Sequence, residues 1–249
     1  MINGSILVSG GASGLGAAVV AKLSQLGSKV ASVDLTENSD LTGKDGCASY
    51  ICDVTDAEKV TDLCAQISNE LGPISAVICC AGIAPSSKIH GRKGPHDVDL
   101  FEKVLSVNVV GTFNLIRAAT PLMKDNQPDE NGQRGVFITT ASVAAFEGQI
   151  GQIAYAASKG AIASMTLPIA RELARDGIRC VSIAPGVFDT PMMQGMPEEV
   201  RQSIAETIPF PAKLADPDDY ASLVSHILEN KTLNGEVIRL DGALRMAGK

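Results

Sequence analysis

The sequence predicts an α/β protein: a doubly wound, mostly parallel sheet of about seven strands with helices on both faces. Short β-branched runs alternate regularly with longer stretches of helical period. The runs are also apolar nearly throughout, as strands buried on both faces must be. A glycine-rich turn joins the first strand to the first helix.

The strands are expected at 5–10, 29–34, 48–54, 75–82, 135–142, 178–186 and 236–242, and the helices at 14–27, 56–71, 98–124, 152–176 and 216–229. In the second helix Val60, Leu63, Cys64, Ile67 and Leu71 recur at helical spacing, which places one face on a core. Neither the polar loop 124–135 nor the proline-rich segment 186–219 divides the chain, so one domain over 1–249 is expected. The segment at about 187–218 is the candidate substrate loop.

Composition narrows the function. Hydrophobic residues make up 45% and charged residues 20%, as in a folded soluble protein. No apolar run reaches the ~20 residues that cross a bilayer. The start of the chain carries no basic, apolar or Arg-rich targeting pattern, so a cytoplasmic location is expected. A net charge of −7 argues against a general nucleic-acid binder. The six cysteines form no C-x-x-C pair and read as reduced and mostly buried. The three histidines have no metal-ligand spacing, and no metal site is expected.

In "SGGASGLG", Gly10, Gly14 and Gly16 frame the turn after the first strand. Such a turn brings backbone close to a pyrophosphate and aims a helix N-terminus at its charge. Packing of helix on strand would also favour glycine, but the strand–turn–helix setting and Asp34, 18 residues beyond Gly16, favour a Rossmann-type dinucleotide site. A carboxylate there accepts hydrogen bonds from both ribose hydroxyls of NAD and repels the 2′-phosphate of NADP. Asp53 would meet the adenine edge or else cap a helix.

Tyr155 and Lys159 stand four apart in a small-residue segment, on one face of a helix. A phenol titrates near pH 10, and bringing it to ~7 takes about 4 kcal/mol. A neighbouring ammonium and a positively charged nicotinamide ring would supply that in a water-poor cleft. Ser142 stands thirteen residues earlier.

These residues together resemble the short-chain dehydrogenase/reductase family over nearly the whole chain. The turn has Ser9 where threonine is usual. "CAG" (Cys80, Ala81, Gly82) replaces asparagine-alanine-glycine, Asn108 lies in "SVNVVGTF", and Y-x-x-x-K follows Ser142. "PGVFDT" runs from Pro185 to Thr190. The resemblance implies catalysis by Ser142, Tyr155, Lys159 and Asn108, with Asn108 supporting a proton-carrying water chain. It implies an NAD site built from Ser9, Gly10, Ser13, Gly14, Leu15, Gly16, Asp34, Asp53, Val54, Cys80, Ala81, Gly82, Tyr155, Lys159, Pro185, Gly186, Val187 and Thr190, and a homotetramer.

Stretches such as "CAGIAPSSK" and "NQPDENGQRGVFITTASVAAFEGQIGQIAY" are similar to the members that oxidise 3-hydroxyacyl-CoA thioesters, some with side activity on steroids. The alternatives are a general secondary-alcohol or steroid dehydrogenase, a 3-oxoacyl carrier-protein reductase, or a scaffold without turnover. Met192 and Phe210, with their apolar neighbours, would either close over an acyl chain or pack at a subunit interface. Gln149 would bond the substrate or else stabilise its loop. Lys88, Arg92 and Lys93 would contact the CoA phosphates or form a solvated basic loop.

Overall fold

The computed structural model describes residues 4–248 apart from 42 and 93, and at 192 the backbone only. Seven strands form one parallel sheet: β1 (Ser5–Ser9), β2 (Lys29–Asp34), β3 (Cys47–Ile51), β4 (Ile74–Cys79), β7 (Gly135–Thr140), β8 (Ile178–Pro185) and β9 (Val237–Leu240). Their order across the sheet is β3-β2-β1-β4-β7-β8-β9. Between β4 and β7 in the chain lies a small antiparallel hairpin of two-residue strands, β5 (His90–Gly91) and β6 (Gly94–Pro95), too short to leave a period in the sequence.

Helices α1 (Gly14–Gln25) and α8 (Pro217–Glu229) pack on one face, in a cluster that includes Val19, Val20, Val224 and Ile227. Helices α2 (Ala57–Leu71), α4 (Gly111–Lys124) and α5 (Ile153–Leu173) cover the other, around Leu63, Ile67, Leu115 and Phe137. Strands β1, β4, β7 and β8 are buried throughout or nearly so, which explains their unbroken apolar sequence. Ile78 sits in the middle of this sheet with no exposure. Removing one methyl group there, in Ile78→Val, is expected to lower the unfolding free energy by about 1 kcal/mol, measured by urea titration.

The expected helix over 98–124 is instead three pieces. They are α3 (Val98–Leu105), one π-helical turn (Ser106–Val110) and α4, with Asn108 on the π turn. Such turns concentrate at functional sites because they re-aim a side chain. The expected loop 186–219 also carries two helices, α6 (Pro191–Gln194) and α7 (Glu198–Ala205).

Neighbouring strands change crossover direction between β1 and β4. In an open parallel sheet this is where ligands bind, beyond the carboxyl ends of the strands.

Candidate active site

The turns after β1 and β4 meet at that switch point. Gly10 has φ of +67°, and a Cβ there would lie 2.7 Å from the Ala81 nitrogen. At Gly16 a Cβ would fall on the Gly10 carbonyl oxygen. Both positions therefore demand glycine. Ser9, wholly buried, accepts from Cys80 N through its carbonyl (3.1 Å) and from Ala81 N through its hydroxyl (3.3 Å). A serine therefore suffices where the family more often has threonine.

Ser13 occupies the N-cap position of α1, exposed, with no capping bond from its side chain. Its hydroxyl and the first amides of the helix stay available to an anion. Thr190 lies across the turn: a Cβ on Gly14 would be 3.6 Å from its methyl group. Leu15 is half-buried against the α1–α8 cluster. Asp34 ends β2 and accepts from Ala12 N (3.0 Å) and Leu35 N (2.7 Å), one bond on each oxygen. Both oxygens keep a lone pair for a further donor. The residues thus fit a nicotinamide dinucleotide: a backbone cradle that side chains would fill, a free helix N-terminus and a terminal carboxylate.

Asp53 is exposed and accepts from Thr55 N and Thr55 Oγ1. Helix α2 is capped by Asp56, so Asp53 builds a turn rather than a cap. Val54 beside it is buried, its carbonyl held by Asn114 Nδ2 at 2.9 Å. Pro185 ends β8, Gly186 N donates to Leu240 O (2.9 Å), and Val187 O accepts from Ala215 N (3.0 Å). Together these bonds fix the course of the chain toward Thr190.

The catalytic candidates converge. Ser142 follows β7, its hydroxyl accepting from Ala144 N at 3.1 Å and acting to lower the Tyr155 phenol, while Lys159 Nζ lies 5.6 Å from the centre of the Tyr155 ring. Asn108 Nδ2 donates to Ile83 O (3.0 Å) and Ser158 Oγ (2.9 Å), and its Oδ1 accepts from Ile83 N (2.8 Å). This clasp ties the loop after β4 to α5. A Cβ on Gly82 would face both Asn108 Oδ1 (3.2 Å) and Lys159 Nζ (3.7 Å). Cys80 is half-buried, and burial pushes its thiol up from the ordinary range.

The expected lowering of the Tyr155 phenol needs the charge of the nicotinamide ring as well as the ammonium. Burial pushes the Tyr155 phenol up, and the Ser142 side chain opposes it. Lys159 Nζ is turned to the Thr140 carbonyl, at 2.7 Å. Burial also brings the ammonium itself down to about 8. Within the chain alone the phenol is an acid held in reserve.

Gln149 Nε2 donates to Ala247 O (3.1 Å), tying its loop to the C-terminal tail, as its loop-stabilising reading anticipates. The same residue lines a cavity of about 460 Å³ with Lys88, His90, Gln152, Ile153 and Ala156, one residue beyond Tyr155. Arg92 is exposed and outside that lining; Lys93 lies outside the described residues. Phe210 is 83% exposed, so its ring closes over nothing in the chain by itself. Met192 falls on α6, and its side chain is among the parts not described. No group of His, Cys, Asp and Glu among the described residues could hold a metal ion.

Sequence reasoning missed Asn38. It is buried, and its Nδ2 donates to Gly11 O (2.7 Å) while Asn38 N donates to Ser49 Oγ (2.8 Å), bracing the glycine turn from behind. It missed the ion-pair group around Glu147 as well. Arg239 donates to Glu147 (2.8 Å) and Asp241 (2.7 Å), and Met246 N donates to Glu147 (3.0 Å), strapping the C-terminal tail over the segment that follows Ser142. No local pattern distinguishes either set from ordinary loop residues.

A dinucleotide cradle beside a serine, tyrosine and lysine defines an oxidoreductase. The model of the short chain dehydrogenase family matches residues 5–230, and the chain belongs to that family. It is 49% identical over 247 residues to the 3-hydroxyacyl-CoA dehydrogenase type-2 of Bos taurus, covering 96% of this chain and 94% of that one. To the Drosophila melanogaster protein of the same name it is 46% identical over 250 residues, 98% of each chain. The crystal structure of 3-hydroxyacyl-CoA dehydrogenase type-2 from Mycobacterium avium superposes with a TM-score of 0.91 at 37% identity, covering 99% and 98% of the two chains.

Proposed function

We propose that the protein oxidises a 3-hydroxyacyl-CoA to the 3-ketoacyl-CoA with NAD. The observation that carries the reading is the Ser142–Tyr155–Lys159 group beside a dinucleotide cradle that ends at Asp34. The names and identity of the relatives direct the choice of thioester.

NAD, when bound, supplies the hydride acceptor and a positively charged ring. The chain's own side chains do the rest: Ser142 holds the substrate oxygen, and Tyr155 removes the hydroxyl proton as general base. Lys159 keeps a cation next to the phenol and, while one proton is held by Thr140 O, offers the others to the ribose hydroxyls. Asn108 holds the loop after β4 against α5 and supports the path by which the proton leaves. Asp34 selects NAD, since no arginine stands beside it at Val33 or Leu35 to receive a 2′-phosphate.

The cavity lined by Gln149, Gln152 and Ala156 receives the acyl thioester, with Lys88 in the same lining as the contact for a CoA phosphate. The apolar residues of the α6–α7 segment and the loop after it, Met196, Val200 and Phe210, are exposed, and in this reading they cover the acyl chain. Exposed Val98, Val110 and Phe113, with Ile153 and Leu167 on α5, support a homotetramer built through the long helices. Six free cysteines suit a reducing compartment, the cytoplasm in this reading.

The test is turnover of acetoacetyl-CoA with NADH and NADPH, followed by hydroxyacyl-CoAs of graded length with NAD. NADH is expected to be preferred by about 100-fold in kcat/KM, the effect of a carboxylate placed against a phosphate. Preference for NADPH, or no turnover of any CoA thioester, overturns the proposal.

A further inference from the structure

Tyr220 lies on α8, on the face of the sheet opposite the helix that carries Lys159, and is wholly buried. A phenol is seldom placed so deep without a partner for its hydroxyl. The Tyr220 hydroxyl is 2.7 Å from Thr140 Oγ1, at the end of β7, and 3.8 Å from Cys80 Sγ. Thr140 Oγ1 in turn donates to Cys79 O at 2.6 Å. A hydroxyl has one proton to give. Thr140 gives its proton to Cys79, so Tyr220 is the donor to Thr140, and the Cys80 thiol faces the oxygen of Tyr220.

The position of this chain of bonds matters. The ladder between β4 and β7 ends at the pair Cys79 and Thr139. The Thr140 hydroxyl adds a bond one residue past that end, and Tyr220 holds the hydroxyl in place. The carbonyl of the same residue, Thr140, accepts from Lys159 Nζ at 2.7 Å. The other titratable groups that bear on this ammonium are Tyr155 on its own helix and Cys79 and Cys80 at the end of β4.

We propose that Tyr220 is a positioning residue for Lys159, setting, through Thr140, the carbonyl against which the ammonium is held. It touches neither substrate nor cofactor. The inference rests on the reading of Lys159 as the ammonium of the site, but its test needs no turnover.

Tyr220→Phe removes the hydroxyl and keeps the edge-to-face packing on Phe188. In NAD-free protein with ¹³C-labelled lysine, the Lys159 resonance, assigned by its loss in Lys159→Met, reads the titration directly. A misplaced acceptor stabilises the charged amine less, so the midpoint is expected to fall by about half a pH unit. With NAD and substrate, kcat is expected to fall about 5- to 10-fold at nearly constant KM, the pattern of a lost orientation rather than lost binding. Val224→Ala, on the same helix, serves as the packing control: it lowers Tm without moving the Lys159 midpoint. If Tyr220→Phe lowers Tm while the midpoint stays at its native value, Tyr220 is core packing alone and the proposal fails. If that variant does not fold, Thr140→Ala and Thr140→Ser decide. The alanine is expected to shift the midpoint more than the serine, which keeps the hydroxyl, and equal shifts overturn the proposal. Inactivity of the native protein toward hydroxyacyl-CoA, with the midpoint shift intact, counts against the proposed function and not against this one.

Discussion

Tyr155→Phe is expected to lower kcat for hydroxyacyl-CoA oxidation by about 10²- to 10⁴-fold, the range set by loss of a positioned general base. The substitution removes one oxygen from a buried side chain whose phenol Ser142 acts to lower and whose ring faces Lys159 at 5.6 Å. The ring stays, so packing and NADH affinity should stay within about twofold, measured by fluorescence titration. The pH dependence has a definite sign. The reactive form is the phenolate, so the native rate rises with pH through an acid limb. Burial pushes the phenol up in the chain alone. The limb should therefore lie lower in the cofactor complex than the Tyr155 titration in NAD-free protein, because the cation of the bound ring opposes that burial. In Tyr155→Phe the acid limb should vanish along with the rate. A variant that kept even a tenth of native kcat with the limb in place would remove Tyr155 from the chemistry.

How much of this could be read from residues alone divides along a physical line. Alternation of apolar runs with helical period gave the seven strands and their helices, because burial on both faces leaves a local imprint. Gly10 and Gly16 were legible for a similar reason: the space a Cβ would need is taken, and only glycine fits. The four-residue interval from Tyr155 to Lys159 was legible because a helix converts spacing into a shared face. Asn38 behind the glycine turn and Tyr220 behind Thr140 were not. Each makes its bond to residues far away in sequence, Gly11 and Thr140, through a fold that must exist first. The surroundings of the Tyr155–Lys159 pair were not legible for the same cause. Spacing placed the ammonium near the phenol, but it could not reveal that Nζ would be turned to the Thr140 carbonyl and that both groups would be desolvated. The outcome is two levels of organisation, a scaffold written locally and a set of braces written only in three dimensions.

Asp34 joins the two levels, and its replacement has the other large expected effect. Its carboxylate stands at the end of β2, accepting from Ala12 N at 3.0 Å, so it braces the glycine turn and, in the proposed NAD complex, would accept from the ribose. Asp34→Ala removes the acceptor for two ribose hydroxyls, each a charge-assisted bond worth about 1.5–3 kcal/mol. The KM for NAD is expected to rise about 10²- to 10⁴-fold, with kcat changed less than about threefold, because the bonds exist equally in the ground and transition states. The variant should also lose discrimination against NADP, since the repulsive charge is gone, without gaining tight NADP binding, since no cation has been added. Asp34→Asn separates the two contributions. It keeps an oxygen for Ala12 N and removes the charge, so the preference for NAD should fall while thermal stability stays closer to native than in the alanine. Steady-state kinetics with both dinucleotides and a melting curve of each variant read these outcomes. An unchanged KM for NAD in Asp34→Ala would place the ribose elsewhere, and the switch point between β1 and β4 would need another occupant.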